Sequence, residues 1–328
     1  MSQSGRDAFW DNTRAVLMWF VVLGHTIQHF VGVGFFSHPL FKAIYLFHIP
    51  LFFFISGYFA LPSIRKHRFT GLKKTTFRLL SPIFTIGSLQ LILLLCQENT
   101  LTLSSVWKCY VCLWFLWSLF ECQFCAYLLL ATRILILRLG ALCLPLILCL
   151  IAPKYIPYAD YLGLAWPCFI VGMFARHKGF SRLRITRHWY WATPAAILCF
   201  LLFQNDWYVY TCPLSLSLDS IGVALFRLVA ALTTGCVFLA LMNQCADKLH
   251  MATIGTATLG IYIVQSVLFK IISHLHLPAY LSQAWTILAA SLAIFYLSYL
   301  TYALTKKVPI VGTLAYGTAP SIHTKRVQ

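Results

Sequence analysis

The chain has 328 residues, 60% of them hydrophobic and 10% charged, with a net charge of +17 and a mean hydropathy of +0.79. Ordinary globular chains carry about 25% charged residues. No water-soluble fold of this length hides so much apolar surface, so the composition excludes a soluble protein and implies one that crosses a membrane many times. In a soluble chain the positive excess would suggest nucleic acid; here its distribution matters more than its sum, and no nucleic-acid partner is expected.

In chain order, residues 1–14 are polar, and no small-residue cleavage site follows the first apolar stretch. That stretch is therefore expected to stay as a span rather than leave as a signal peptide. Apolar runs of spanning character cover about 15–31, 43–61, 79–96, 107–132, 139–152, 160–175, 189–204, 220–243, 254–273 and 283–304. This predicts a single all-α domain over 1–328, a bundle of about ten transmembrane helices without a soluble domain, linker or tandem repeat. Two stretches between spans are basic: 62–80 carries Arg65, Lys66, Arg68, Lys73, Lys74 and Arg78, and 176–187 carries Arg176, Lys178, Arg182, Arg184 and Arg187. With both termini cytoplasmic, 20 of the 25 Lys and Arg fall inside, and Lys42, Lys108 and Lys154 fall outside. Arg227 and Lys270 lie within spans. Cations concentrate on the cytoplasmic side of membrane proteins, so the split predicts an N-in, C-in topology. The fifth span is the shortest and holds Pro145; without it everything downstream would invert and the 176–187 loop would lie outside.

The first span carries the most suggestive chemistry. Arg14 and His25 are eleven residues apart, close to three helical turns, so both project from one face, roughly 16 Å apart along the axis. With Arg14 at the surface, His25 lies near the midplane, where an ionisable group is costly and marks a functional site by default. The ordinary reading is a hydrogen-bonded packing histidine. The functional one is a general base, for which the ordinary pKa of imidazole is suited. His29, one turn on, extends the same face; the pair has metal-ligand spacing but lacks the glutamate of the zinc-protease pattern, and no metal is expected. Arg14 is either a membrane-surface anchor with Asp11 as its partner or a forked clamp for phosphate. In the second span, His48, Ser56 and a proline at Pro50 offer polar groups towards the first helix, or only a kink and a small Ser-Gly pair for close packing. Arg78 opens the third span as an anchor or a second anion contact. Glu121 is an acid well inside a span, and Arg227 needs a partner there, with Glu121 and Asp219 as possibilities. Twelve cysteines lie almost wholly in apolar segments, which argues against a disulfide framework, and the CxxC pairs at Cys109 and Cys122 sit in or beside one aromatic helix rather than on the turns of a zinc ribbon.

Arg14-x10-His25 with Asp11-Asn12 ahead of it, then His48-Ile49-Pro50-Leu51-Phe52-Phe53-Phe54-Ile55-Ser56-Gly57-Tyr58, resembles the membrane acyltransferase 3 family, in its fucose 4-O-acetylase-like branch. Arg78-Leu79-Leu80-Ser81-Pro82, Leu113-Trp114-Phe115-Leu116-Trp117, Gly172 and Leu259-Gly260-Ile261-Tyr262 extend the likeness over most of the chain. Gln265 stands where the family pattern leads one to expect histidine. The resemblance implies an enzyme of a bacterial inner (cytoplasmic) membrane that moves an acyl group, usually acetyl, from acyl-CoA such as acetyl-CoA to a hydroxyl of a glycan or lipid-linked sugar. His25 and Arg14 would be catalytic. Arg14, Arg78, Arg65 and Arg68 would hold the donor's phosphates, and Asp11, His29, His48, Ser56, Tyr58, Glu121, Arg227 and Tyr262 would support. Membrane lipids are further partners, and a homo-oligomer is left open. The competing class is a transporter or flippase of glycans or lipid-linked sugars, which Pro-broken spans with intramembrane His and Arg would also suit.

Overall fold

A computed structural model describes residues 7–97, 102–151, 155–181, 184, 186–187, 189–275 and 279–318. Arg6, Lys154, Arg182, Lys325 and Arg326, and the side chain of Arg68, lie outside the described residues. Among those described there are helices and turns but no strands. The helices are α1 (Ala8–Val31), α2 (Pro39–Tyr45), α3 (His48–Gln97), α4 (Leu103–Tyr110), α5 (Trp114–Ala131), α6 (Leu135–Ile151), α7 (Leu162–His177), α8 (Trp189–Leu202), α9 (Leu218–Leu249), α10 (Ala252–Thr256), α11 (Thr258–Ile272), α12 (Ala284–Thr305) and α13 (Pro309–Tyr316). Among the described residues, six stretches are long and apolar enough to cross a membrane: Ala8–Val31, Pro39–His67, Thr70–Cys96, Trp114–Ala131, Leu218–Ala246 and Ala284–Thr305. Helices α6, α8 and α11 are apolar but shorter.

The basic stretch 62–80 is not a loop. It is helical, and α3 runs through it for 50 residues. Lys, Arg and Leu are good helix formers, and charge clustering by itself does not break a helix. A straight helix of this length would measure about 75 Å, more than twice a ~30 Å hydrocarbon core, so only its apolar ends can lie in lipid. Within the apolar stretch Pro39–His67 the helix is interrupted at Leu46–Phe47, where Pro50 lacks the N–H that would bond the Leu46 carbonyl. The backbone N–H of Leu51 donates to Phe47 O at 2.8 Å, which places Pro50 in the first turn of α3, where its missing N–H costs nothing.

Helix α1 is the centre of the bundle, packed against α9, α10, α11 and α12. Its polar entry is buried in protein rather than exposed: Asp11, Asn12 and Thr13 are all buried. Asp7 caps the helix by accepting from Phe9 N at 3.0 Å, Thr13 Oγ1 donates to Phe9 O at 2.7 Å, and Asn12 Nδ2 donates to Ala246 O near the end of α9 at 2.6 Å. Helices α3 and α7 cross so closely that a Cβ on Gly57 would lie 2.0 Å from Phe169 O, and one on Gly172 2.0 Å from Phe54 O. Small residues permit such contact where lipid supplies no hydrophobic drive between helices. Beyond this crossing the basic middle of α3 lies beside the end of α7, where Arg65 Nη2 and His177 Nδ1 are 3.0 Å apart.

Candidate active site

Three cavities meet along one face of α1. The first, about 350 Å³, holds Arg14 and Asp11 from α1, Ser56 and Arg78 from α3, and Thr256 and Tyr262 from α10 and α11. Arg14 Nη1 donates to Asp11 Oδ1 at 2.9 Å, and its guanidinium lies 4.7 Å from the centre of the Phe59 ring. Two cations against one carboxylate leave this chamber net positive.

The second cavity, also about 350 Å³, shares Met18, Phe52, Phe115 and Tyr262 with the first and is bordered by His25, Gln28, His48 and an aromatic wall. That wall includes Tyr45, Tyr158, Tyr161, Tyr210 and Trp114, and its lining contains no Asp, Glu, Lys or Arg among the described residues. Trp114 meets Tyr161 edge-on at 4.9 Å, and Tyr161 and Tyr210 are 6.0 Å apart. Tyr158 has φ 60, a left-handed conformation uncommon for a side chain of this size, and its hydroxyl donates to Val111 O. Gly24 makes room for the wall: a Cβ there would stand 2.8 Å from the Tyr45 ring.

His25 Nδ1 lies 3.2 Å from Gln28 Oε1. In the tautomer whose Nδ1–H donates to this amide oxygen, Nε2 keeps its lone pair. This is the tautomer a base needs. His48 takes the same form, Nδ1–H donating to Ile44 O at 2.7 Å. The third cavity, about 320 Å³, shares His25, Gln28, Trp114 and Tyr262 with the second and adds His29, Lys108, Gln265 and Lys270.

The structure thus gathers Arg14, Asp11, Ser56 and Arg78 in one chamber, His25 and His48 in the next, and His29 in the third, with Tyr262 common to all. Other expected site residues stand apart. Tyr58 turns away, its hydroxyl donating to Phe180 O at 3.0 Å and accepting from Arg176 Nη1 at 3.3 Å. Arg65 is exposed beside His177 and borders none of the three cavities. Glu121 and Arg227 are both buried but not paired: neither carboxylate oxygen of Glu121, nor Nε or Nη1 of Arg227, has a hydrogen-bond partner among the described residues. The sequence reading missed Gln28 and the tyrosine wall. Gln28 could have been found, since it is polar, within an apolar span, and one turn from His25. Tyr45, Tyr158, Tyr161 and Tyr210 come from three separate stretches of chain, and no local pattern joins them.

The acyltransferase domain family profile matches residues 7–303. The chain belongs to the acyltransferase 3 family. It is 26% identical over 295 residues to the nodulation protein NolL of Mesorhizobium japonicum, covering 82% of this chain and 78% of that one. It is 27% identical over 293 residues to NolL of Sinorhizobium fredii, covering 82% and 79%. No solved structure matches. Membership makes the protein a membrane acyltransferase and decides the choice between transfer and transport. In this family member the Arg14 chamber and the His25 cavity adjoin along one helix.

Proposed function

We propose that the protein transfers an acyl group, usually acetyl, from cytoplasmic acyl-CoA to a hydroxyl of a glycan or lipid-linked sugar at a bacterial inner membrane. The observation that carries this reading is the continuity of the first two cavities: Met18, Phe52, Phe115 and Tyr262 border both. The phosphates of acyl-CoA bind at Arg14 and Arg78 in charge-assisted, forked contacts, and the pantetheine arm runs along α1 towards His25. The acceptor sugar enters the aromatic cavity, whose rings suit the apolar faces of a sugar and whose hydroxyls suit its edges. His25 Nε2 takes the hydroxyl proton as the oxygen attacks the thioester carbonyl, and the thiolate of CoA leaves, taking up that proton as a thiol. A tyrosine hydroxyl of the wall stabilises the oxyanion.

The N-in, C-in arrangement of ten spans belongs to the same proposal. It is supported by the direction of α1 and α11, first and ninth in the count. Asp11 near the start of α1 touches Gly255, just before α11, and His29 near its end stacks on Phe269 near the end of α11 at 5.1 Å. The two helices run in parallel, as an even number of reversals between them requires. Reporter fusions after His177 and after Thr102 should report opposite faces; the same face for both would sink the topology.

Acyl-CoA-dependent labelling of acceptor in purified membranes tests the reaction. His25→Ala should lower transfer by about 10²–10⁴, the usual contribution of a general base, with the protein still in the membrane. Full labelling by that variant would falsify the assignment.

A further inference from the structure

The third cavity is unlike the other two in its charge. Lys108 and Lys270 line it, and no Asp or Glu does among the described residues. Each lysine has a local reason to be where it is, in the last turn of α4 and of α11, where cations meet the negative end of the helix dipole. That reason does not explain why both border the cavity that also holds His25. Nor is a cation common on this side of the bundle: of the other lysines expected there, Lys42 is engaged over the Phe200 ring at 5.0 Å. A second observation points the same way. Gln265 is 1% exposed, lines this cavity, and its Oε1 has no hydrogen-bond partner among the described residues. A buried acceptor left unmatched is costly, and a ligand O–H would match it.

We propose that this cavity is a subsite for an acceptor sugar that carries an anionic group, phosphate or carboxylate. The anion binds Lys108 and Lys270, and a hydroxyl of the same molecule donates to Gln265 Oε1. The cavity shares His25, Gln28, Trp114 and Tyr262 with the neutral aromatic one. A sugar anchored here by its charge therefore keeps a hydroxyl within reach of His25 from the side opposite Arg14. The inference rests on the transfer reading above, and it gives the acceptor a charge that reading leaves open.

The test is binding, read by quenching of Trp114 fluorescence in the purified full-length protein, with Trp114→Phe as the control for the signal. Glucose, glucose 1-phosphate, glucuronate and inorganic phosphate are titrated separately. At least one anionic sugar should bind about tenfold or more tighter than glucose. The gain should vanish in Lys108→Ala/Lys270→Ala and persist in Lys108→Arg/Lys270→Arg, and whether phosphate or carboxylate is preferred identifies the source of the charge. Equal affinity for all three sugars overturns the proposal, as does a preference that survives the double alanine variant. Inorganic phosphate binding as tightly as glucose 1-phosphate would mean a site for free phosphate, and displacement by CoA would assign the cavity to the donor; either outcome overturns it. Two separate readouts keep the ideas apart: labelling reads the His25 role, and this titration, made with His25 intact, reads binding. A failed His25 role therefore leaves the anion preference standing, and a lost preference leaves the His25 assay untouched.

Discussion

At the scale of single residues, the proposed base chemistry depends on the Gln28–His25 contact at 3.2 Å, because it would select which imidazole nitrogen faces the acceptor. Gln28→Leu leaves the histidine in place but frees its tautomer. Losing one such bond, about 1 kcal/mol, should reduce kcat/KM roughly fivefold or more while leaving the Michaelis constant for acyl-CoA unchanged; steady-state kinetics in membranes decide it, and a rise in that constant would instead put Gln28 on the donor. Arg14 is the complementary case. Arg14→Lys keeps the charge and loses the fork, and should raise the Michaelis constant for acyl-CoA several-fold with little change in kcat. An unchanged constant would reduce Arg14 to an anchor. The residue-scale reading from sequence was sound where the helix itself carries the information. Arg14 with Asp11, and His25 with His29, are neighbours because 3.6 residues make a turn. It left Glu121 and Arg227 open, since pairing two buried charges from different helices is a question of tertiary placement.

At the scale of elements, the α3–α7 crossing sets the frame that holds both the basic middle of α3 and the aromatic cavity. Gly57 and Gly172 face backbone atoms, which cannot move aside as a flexible side chain can. Gly172→Leu should therefore destabilise the protein by about 1–3 kcal/mol or more, seen as a lower melting temperature in detergent. A Cβ added to Gly140 on α6 would meet nothing within 4 Å, so Gly140→Ala should leave the melting temperature unchanged or raise it slightly. Equal losses at the two sites would mean that the crossing is not tight. The existence and order of the apolar helices were legible in the sequence because lipid demands long uncharged runs. The helical nature of 62–80 was not, since a run of cations reads as a loop by the same rule that places it outside the membrane. The turns bearing Tyr158, Tyr161 and Tyr210 were equally hidden: they are short connections whose position depends on the helices they join.

At the scale of the whole molecule, one residue stands out by its place, for Tyr262 borders all three cavities. A side chain common to all three chambers is a partition between them, and under the proposed reaction its bulk would set whether the reactive thioester meets a sugar or meets water. Transferases and hydrolases differ in little more than that exclusion. Removing the ring in Tyr262→Ala should therefore change the outcome of the reaction as much as its rate: acyl-CoA consumption should persist without acceptor, with free acid replacing acylated sugar. The ratio of the two products, measured by mass from the same membranes, would show whether a single aromatic wall is what keeps this enzyme from wasting its donor.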